Sequence, residues 1–312
     1  MTTSPPRLDD FRQRISWRDV ENSQDLKDLL KVCIREDLNP KNPKKVRQAW
    51  EYDLTSEVCN LQGNGTAQLT CREPLILCGV QLADLLIETF SCDQLKFQSY
   101  LEDGSQCEKG QTIGTISGSI KQILAIERTL LNFIQRLSGV ATSSARFVSI
   151  LEPYGVGLLD TRKTTPGHRL LEKYATSCGG SFNHRMGLFD RVLIKDNHLA
   201  AAGVGHGDSL MNFLREVKKR AKEKLVEVEI DHLSQLLPAM EGGADAVLLD
   251  NFTPSDVAQA VEMSENQLIL EASGGINLQN ISEYAQARPH FISSGAPVHN
   301  AKWIDIGLDW IK

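Results

Sequence analysis

The 312-residue chain contains no apolar run of the ~18 or more residues that a membrane-spanning helix needs. Its first twenty residues hold no apolar segment of the secretory type, so no export signal is expected. There is no basic excess: 34 Lys+Arg stand against 40 Asp+Glu, a net charge of −6. That balance speaks against nucleic acid or an anionic membrane as a partner held by the overall field. The seven cysteines are odd in number, form no CxxC, and match no zinc or haem spacing. They read as reduced thiols of a cytoplasmic protein and remove cysteine as a metal ligand. Aromatics are few, at 6%, while 41% hydrophobic and 24% charged residues are ordinary for a soluble globular chain. The length allows two domains, or one α/β barrel with an appendage.

Two textures follow along the chain. Up to about residue 120 the pattern is irregular. A helical stretch near 25–34 leads into a Pro- and Lys-bearing insertion over 39–50, and strands are expected at 67–71, 95–101 and 112–116, with a helix near 80–90. Glycines within 102–116 suggest a structural hairpin. Beyond 121 the pattern becomes regular. A long helix over 123–152, with a break expected near Gly139, precedes short strands at 156–159, 192–194, 226–230, 246–249, 268–270 and 291–293. Helical stretches alternate with them, which predicts a parallel sheet, either a barrel or an open doubly wound sheet.

The strand ends separate this half from a generic α/β protein. Each strand runs into a charged or Gly-rich cluster, beginning at Asp160, Lys195, Glu229, Asp250, Ser273 and Ser294. In α/β barrels the active site lies at that end. Along 226–231 the residues Val226, Val228 and Ile230 share one face and Glu227, Glu229 and Asp231 the other. Helices cover the outside of a barrel, so the acids should point inward. Glu271 repeats the pattern, and a buried salt bridge is the alternative use of Glu227 and Glu271.

Residues 160–195 carry seven basic side chains (Arg162, Lys163, Arg169, Lys173, Arg185, Arg191, Lys195) against three acids, and also contain His168 and His184. Arg169 and Lys173 lie four apart on a helix and read as a solvated face. Arg162, Lys163, His184, Arg185 and Lys195 fall in loops or at strand ends and suit an anionic ligand. Glycine turns at Ser273-Gly274-Gly275 and Ser294-Gly295 follow the last two strands, where barrels commonly bind phosphate. Glu229 and Asp250, on successive strand ends, could share a Mg²⁺ held mainly by substrate phosphates. On the long helix, Ile123, Ile126, Leu130, Ile134, Leu137 and Ala141 form one stripe, and Arg128, Asn132 and Arg136 face away. Arg128 is therefore solvated or reaches a neighbouring subunit.

The words DTRKTTPG over 160–167, NHR over 183–185, IKDNH over 194–198, VEVE over 226–229, LLDN over 248–251 and EASGGI over 271–276 resemble the quinolinate phosphoribosyltransferase family. So do ERTLLN over 127–132 and QRLSGVA over 135–141, and the likeness runs from about 35 to 310. The resemblance implies an incomplete α/β barrel of the type II phosphoribosyltransferase class, over 132–297. An N-terminal open-faced α/β sandwich domain over 1–131 would be joined by the tail 298–312. It implies a glycosyltransferase (pentosyltransferase) of NAD biosynthesis: quinolinate and phosphoribosyl pyrophosphate give nicotinate mononucleotide, pyrophosphate and CO₂, with Mg²⁺.

The resemblance also implies a homodimer, or a higher oligomer, in which Arg128 crosses the interface. Arg128, Arg162, His184 and Arg185 would bind the quinolinate carboxylates. Lys163 and Lys195 would face quinolinate and the phosphoribosyl pyrophosphate oxygens. Glu229 and Asp250 would hold Mg²⁺ or ribose hydroxyls, and Ser273, Gly274, Gly275, Ser294 and Gly295 would take the 5′-phosphate.

The segment after Gly295 is bulkier than is usual in that family, which leaves the later phosphate contacts open. Other readings are a phosphoribosyltransferase for another pyridine carboxylate, a non-catalytic anion-binding homologue, and a Schiff-base aldolase using Lys195.

Overall fold

A computed structural model describes residues 7–38 and 49–311. Its strands are β1 (Asn64–Cys71), β2 (Leu75–Ile76), β3 (Lys96–Ser99), β4 (Gln106–Cys107), β5 (Thr112–Ser119), β6 (Gly157–Leu159), β7 (Val192–Ile194), β8 (Val226–Ile230), β9 (Ala246–Asp250), β10 (Ile269–Ser273), β11 (Phe291–Ser293) and β12 (Ile306–Trp310). They divide between two compact units. One comprises Ile15–Ser143, Thr165–Gly179 and Ala301–Lys312, and the other Ser144–Thr164 and Gly180–Asn300 with the described residues up to Arg14.

The first unit carries an antiparallel sheet in the order β12-β1-β5-β3. In β1, Ala67, Leu69 and Cys71 are buried on one face, as alternation requires, and Thr70 on the other face is buried too. The segment 102–116 does not fold as one hairpin. β4 pairs with β2, while β5 pairs with β1 and β3. The link between β4 and β5 turns back on β1 instead, with Cys71 accepting from Gly110 N and donating to Gln111 O.

The long helix is Ile120–Leu151, and its apolar stripe from Ile123 to Ala141 is buried as the spacing predicts. No break occurs at Gly139. A Cβ there would lie 2.0 Å from Lys302 O, so the glycine allows a backbone to approach the helix. Arg128 and Asn132 are exposed. Arg136 instead bonds Glu172, whose carboxylate also accepts from Thr165 N and Oγ1.

One expected surface pair is corrected here: Lys173 is fully buried. The helix Arg169–Cys178 also buries Leu171, Glu172, Tyr174, Ala175 and Thr176, so it is enclosed more widely than a one-face stripe allows. Of the insertion over 39–50, residues 39–48 lie outside the described residues, and Ala49–Tyr52 forms a 3₁₀ turn.

The second unit is built on six parallel strands in the order β6-β11-β10-β9-β8-β7. The first two strands of the series, β6 and β7, occupy the two edges, which is the open seam of an incomplete barrel. Val226, Val228, Ile230, Val247, Leu249 and Leu270 pack outward on helical residues such as Leu210, Leu214, Leu236 and Val257. The inner side holds a smaller cluster, Phe11, Leu159, Ala246, Ile269 and Phe291. Glu227 and Glu271 lie on the same inward strand faces and have no exposed surface. Asp231, one residue past β8, is exposed instead.

Candidate active site

The site grows from the C-terminal ends of these six strands. After β6, buried Asp160 accepts from Asn183 Nδ2 at 2.7 Å and from His184 N at 2.8 Å. This clamp draws the loop 183–185 onto the strand end that carries Arg162 and Lys163. Arg162 Nε is buried without a hydrogen-bond partner, an orphaned donor of the kind a ligand anion satisfies. Arg185 is 8% exposed. Burial, and then the neighbouring Arg162 charge, push its pKa below the ordinary guanidinium value. An anion between the two guanidinium groups would relieve both effects.

After β7, Lys195 caps the helix Asp196–Ala201 and reaches across to β8, where its Nζ lies 2.7 Å from Glu229 Oε2. Asp250 ends β9, and its Oδ2 accepts from Asn251 Nδ2 at 2.7 Å. Thr161, Arg162, Lys163, His184, Arg185, Lys195, Glu229 and Asp250 line one cavity of about 280 Å³, with apolar walls from Leu193 and Leu248 and with Glu271 beneath. A planar aromatic acid matches that mixture of two leucines and clustered cations.

A second cavity of about 200 Å³ adjoins it and shares Thr161, Lys163, Ser273, Gly274 and Ser293 with the first. Gly275, Ser294 and Gly295 complete its glycine walls. Gly274 and Gly275 have φ of +95° and +62°, and a Cβ on Gly274 would fall 2.7 Å from Asn251 N. Ser294 Oγ donates to Ile276 O and accepts from Ala296 N, tying the two glycine loops together. Small, polar and backbone-lined, this cavity suits a phosphate.

Of the residues singled out from the sequence, Arg162, Lys163, His184, Arg185, Lys195, Glu229 and Asp250 meet in the first cavity. Ser273 and Gly274 border both cavities, and Gly275, Ser294 and Gly295 line the second. Arg128 belongs to the other unit. Sequence reasoning missed Thr161, His299 and Asn300. His299 ends the short helix Ala296–His299 and Asn300 caps it, so both line the phosphate-sized cavity.

Two further acids lie under the first cavity. Burial, and then the charge of Glu227, push the Glu271 carboxyl well above the usual carboxylate range. Burial resists charge on Glu227 as well, but the His184 ring and the Arg191 guanidinium outweigh it and hold that carboxyl low. The two buried carboxyls are thus pushed apart, Glu271 the weaker acid and Glu227 the stronger.

Fold and site together define the class: a type II phosphoribosyltransferase, with a cationic cavity, two carboxylates and a glycine-walled cavity on one barrel rim. Residues 140–309 match the family model for the quinolinate phosphoribosyl transferase C-terminal domain, and residues 53–138 match that for its N-terminal domain. The chain belongs to the quinolinate phosphoribosyltransferase family.

Among its relatives, the nicotinate-nucleotide pyrophosphorylase [carboxylating] of Mycobacterium leprae is 35% identical over 91% of this chain and 96% of the relative. The probable nicotinate-nucleotide pyrophosphorylase [carboxylating] of Bacillus subtilis is 37% identical over 82% and 87%. The solved nicotinate-nucleotide pyrophosphorylase of Francisella tularensis superposes with a TM-score of 0.82 at 35% identity, covering 92% of this chain and 96% of that one.

Proposed function

We propose that the protein is a decarboxylating quinolinate phosphoribosyltransferase of NAD biosynthesis. It would convert quinolinate and phosphoribosyl pyrophosphate into nicotinate mononucleotide, pyrophosphate and CO₂. The observation that carries this reading is the adjacency of two cavities, one with Arg162 and Arg185 beside two leucines, the other glycine-walled, joined by Lys163. Relatives that bear the name of this activity match along both domains.

In this reading Arg162 and Arg185, with His184 beside them, hold the ring carboxylates. Ser273, Gly274, Gly275, Ser294 and Gly295 take the 5′-phosphate. The ring nitrogen attacks ribose C1, the bond from C1 to pyrophosphate breaks, and positive charge develops on the sugar. Glu229 and Asp250 stabilise that charge, while Lys163 and Lys195 offset the charge of the departing pyrophosphate. Fixed donors at developing charge are worth about 100- to 1000-fold each in comparable sites. The ring, now cationic, accepts the electron pair of the bond to its 2-carboxylate. CO₂ leaves and the carbon takes up a proton. This second step asks for orientation rather than a protein nucleophile.

Two carboxylates on adjacent strands lining one cavity form a donor set that fits Mg²⁺, which keeps most of its waters and uses substrate phosphates. Glu229 and Asp250 would hold it. When bound, it supplies charge neutralisation to the pyrophosphate.

We further propose a cytoplasmic protein built from homodimers, alone or in a higher oligomer, with Arg128 of one protomer completing the other's ring pocket. The exposure of Arg128 on its helix and the free state of all seven cysteines support this. Among the described residues no helix is long and apolar enough to cross a membrane.

A phosphoribosyltransferase for a pyridine monocarboxylate would need fewer cations than this pocket contains. Labelled CO₂ release from quinolinate carrying label in its 2-carboxylate tests the proposal. Release should require phosphoribosyl pyrophosphate and Mg²⁺ and should match nicotinate mononucleotide formed. No release with quinolinate bound would leave an anion-binding homologue.

A further inference from the structure

The glycine-walled cavity is lined largely by backbone. Backbone offers carbonyl oxygens, which repel an anion, as readily as N–H groups, which attract one. On the turn after β10, four hydrogen bonds to side chains settle which of the two faces inward. Gly275 O accepts from Asn277 Nδ2 and from Asn280 Nδ2, each at 3.2 Å. Ile276 O accepts from Ser294 Oγ at 2.7 Å, and Asn277 N donates to Asn280 Oδ1 at 2.8 Å. The orientation of the Asn280 amide is forced. The backbone N–H of Asn277 can only donate, so Oδ1 faces it and Nδ2 is left for Gly275 O. Gln279 N orients the other amide in the same way, donating to Asn277 Oδ1 at 2.9 Å.

The peptide between Gly275 and Ile276 is trans, so its C=O and its N–H point in opposite directions. Asn280 does not line the cavity, and a carbonyl held toward Asn280 turns the Ile276 N–H the other way. Ile276 does line the cavity, although its side chain packs with Ile281 in the larger hydrophobic cluster outside the sheet. What Ile276 shows the cavity is therefore its backbone. Its N–H meets no acceptor among the described residues. The next peptide, by contrast, is occupied at both ends, its C=O by Ser294 and its N–H by Asn280.

We propose that Asn280 and Asn277 are positioning residues of the glycine-walled cavity: they hold the Gly275 carbonyl outside it and aim the Ile276 N–H at the phosphate of the sugar substrate. This deepens the reading of the reaction above, on which it depends for naming phosphoribosyl pyrophosphate as the ligand. A donor fixed in advance needs no reorganisation when the anion arrives. Two neutral amides thereby contribute to anion affinity through a peptide they orient. Asn277 borders the cavity and Asn280 does not, so Asn280 is the cleaner probe.

The test begins with deuterated protein labelled with ¹⁵N-isoleucine, with the Ile276 amide assigned by its absence from Ile276→Val. Titration with ribose 5-phosphate should move that amide proton downfield and saturate, and the shift should shrink in Asn280→Ala. An Ile276 amide that stays in place while other signals report saturable binding would overturn the proposal. So would the absence of any saturable binding.

Kinetics supplies a second arm. Asn280→Ala and Asn280→Asp should each raise the phosphoribosyl pyrophosphate KM roughly tenfold, with kcat and the quinolinate KM changed much less. The aspartate keeps an oxygen for Asn277 N but has no donor for Gly275 O. A wild-type KM in Asn280→Asp would therefore remove the proposed role. A quinolinate KM that rises as far as the other would make Asn280 a general support of the rim, and would also overturn it. Should either variant fail to fold, the wild-type titration still decides. If the wild type forms no nicotinate mononucleotide, the reaction reading fails, and the titration, which needs no turnover, still judges the two asparagines.

Discussion

Lys195 and Glu229 form an ion pair across the mouth of the parallel sheet, from the end of β7 to the end of β8, with Nζ 2.7 Å from Oε2. The lysine side chain is 44% exposed and the glutamate 11%, so the carboxylate is fixed and the ammonium faces the cavity. A lysine placed this way can exchange its carboxylate partner for a phosphate oxygen without being desolvated again. Lys195→Ala and Glu229→Gln should each lower kcat by about 100- to 1000-fold. Steady-state rates of nicotinate mononucleotide formation check this. A kcat within about threefold of the wild type for both would take the pair out of the chemistry.

The tight approach of Gly274 to Asn251 gives a prediction for the glycine-walled cavity. Gly274→Ala places a Cβ against backbone at a φ of +95°, which should lower stability by about 1–3 kcal/mol. The KM for phosphoribosyl pyrophosphate should rise while that for quinolinate changes little. Thermal unfolding together with both KM values reads this directly. An unchanged melting temperature would show that the loop yields freely.

A pH effect follows from His290, whose Nδ1 accepts from Leu270 N at 3.0 Å and whose Nε2 lies 2.7 Å from Asn266 Oδ1. Burial, then the charge of Arg12, lower its pKa from the ordinary 6.5. The unfolded chain therefore binds this proton more readily than the folded one. The stability contributed is fully present above pH 6.5 and is lost as the pH falls through that value toward the lowered folded one. Melting temperatures between pH 7.5 and 5 should decline, and His290→Gln, though less stable at neutral pH, should decline less steeply. Parallel slopes would assign the acid sensitivity to other groups.

Much of this was legible in the chain because parallel barrel strands are short, apolar and terminated by chemistry. The expected bounds of β7, β8 and β11 agree with the structure residue for residue. Alternation along 226–230 by itself puts Val226 outward and Glu227 inward, as the structure does. What escaped were pairings distant in sequence. Nothing near Gln106 announces that it will lie beside Ile76, and local glycines suggested a hairpin instead. Lys173 escaped because charge and helical spacing say nothing about what encloses a helix on its other sides. Glu271 meets His184 from a strand 87 positions later, a contact set by sheet order and not by local pattern.

The proposed donation of Arg128 between protomers can be tested by mixing. Arg128→Ala and Lys163→Ala should each be nearly inactive as homodimers. Dissociated and reassociated together in equal amounts, they should regain activity approaching about a quarter of the wild-type level, because half of the dimers would hold one intact site of two. No recovery in heterodimers verified by mass would place Arg128 outside a shared site.

Lys163 and Gly274 stand in the wall common to both cavities, and that shared wall has a thermodynamic consequence. Two ligands flanking one lysine cannot bind independently: each alters the charge the other meets, so their affinities are linked reciprocally. A single molecule occupying both compartments avoids one association cost and gains from effective concentration. The nucleotide formed in the proposed reaction is such a molecule. It should compete with either substrate alone, so that its accumulation would slow its own synthesis, and a pyridine dicarboxylate tethered to a phosphate should outbind both of its halves.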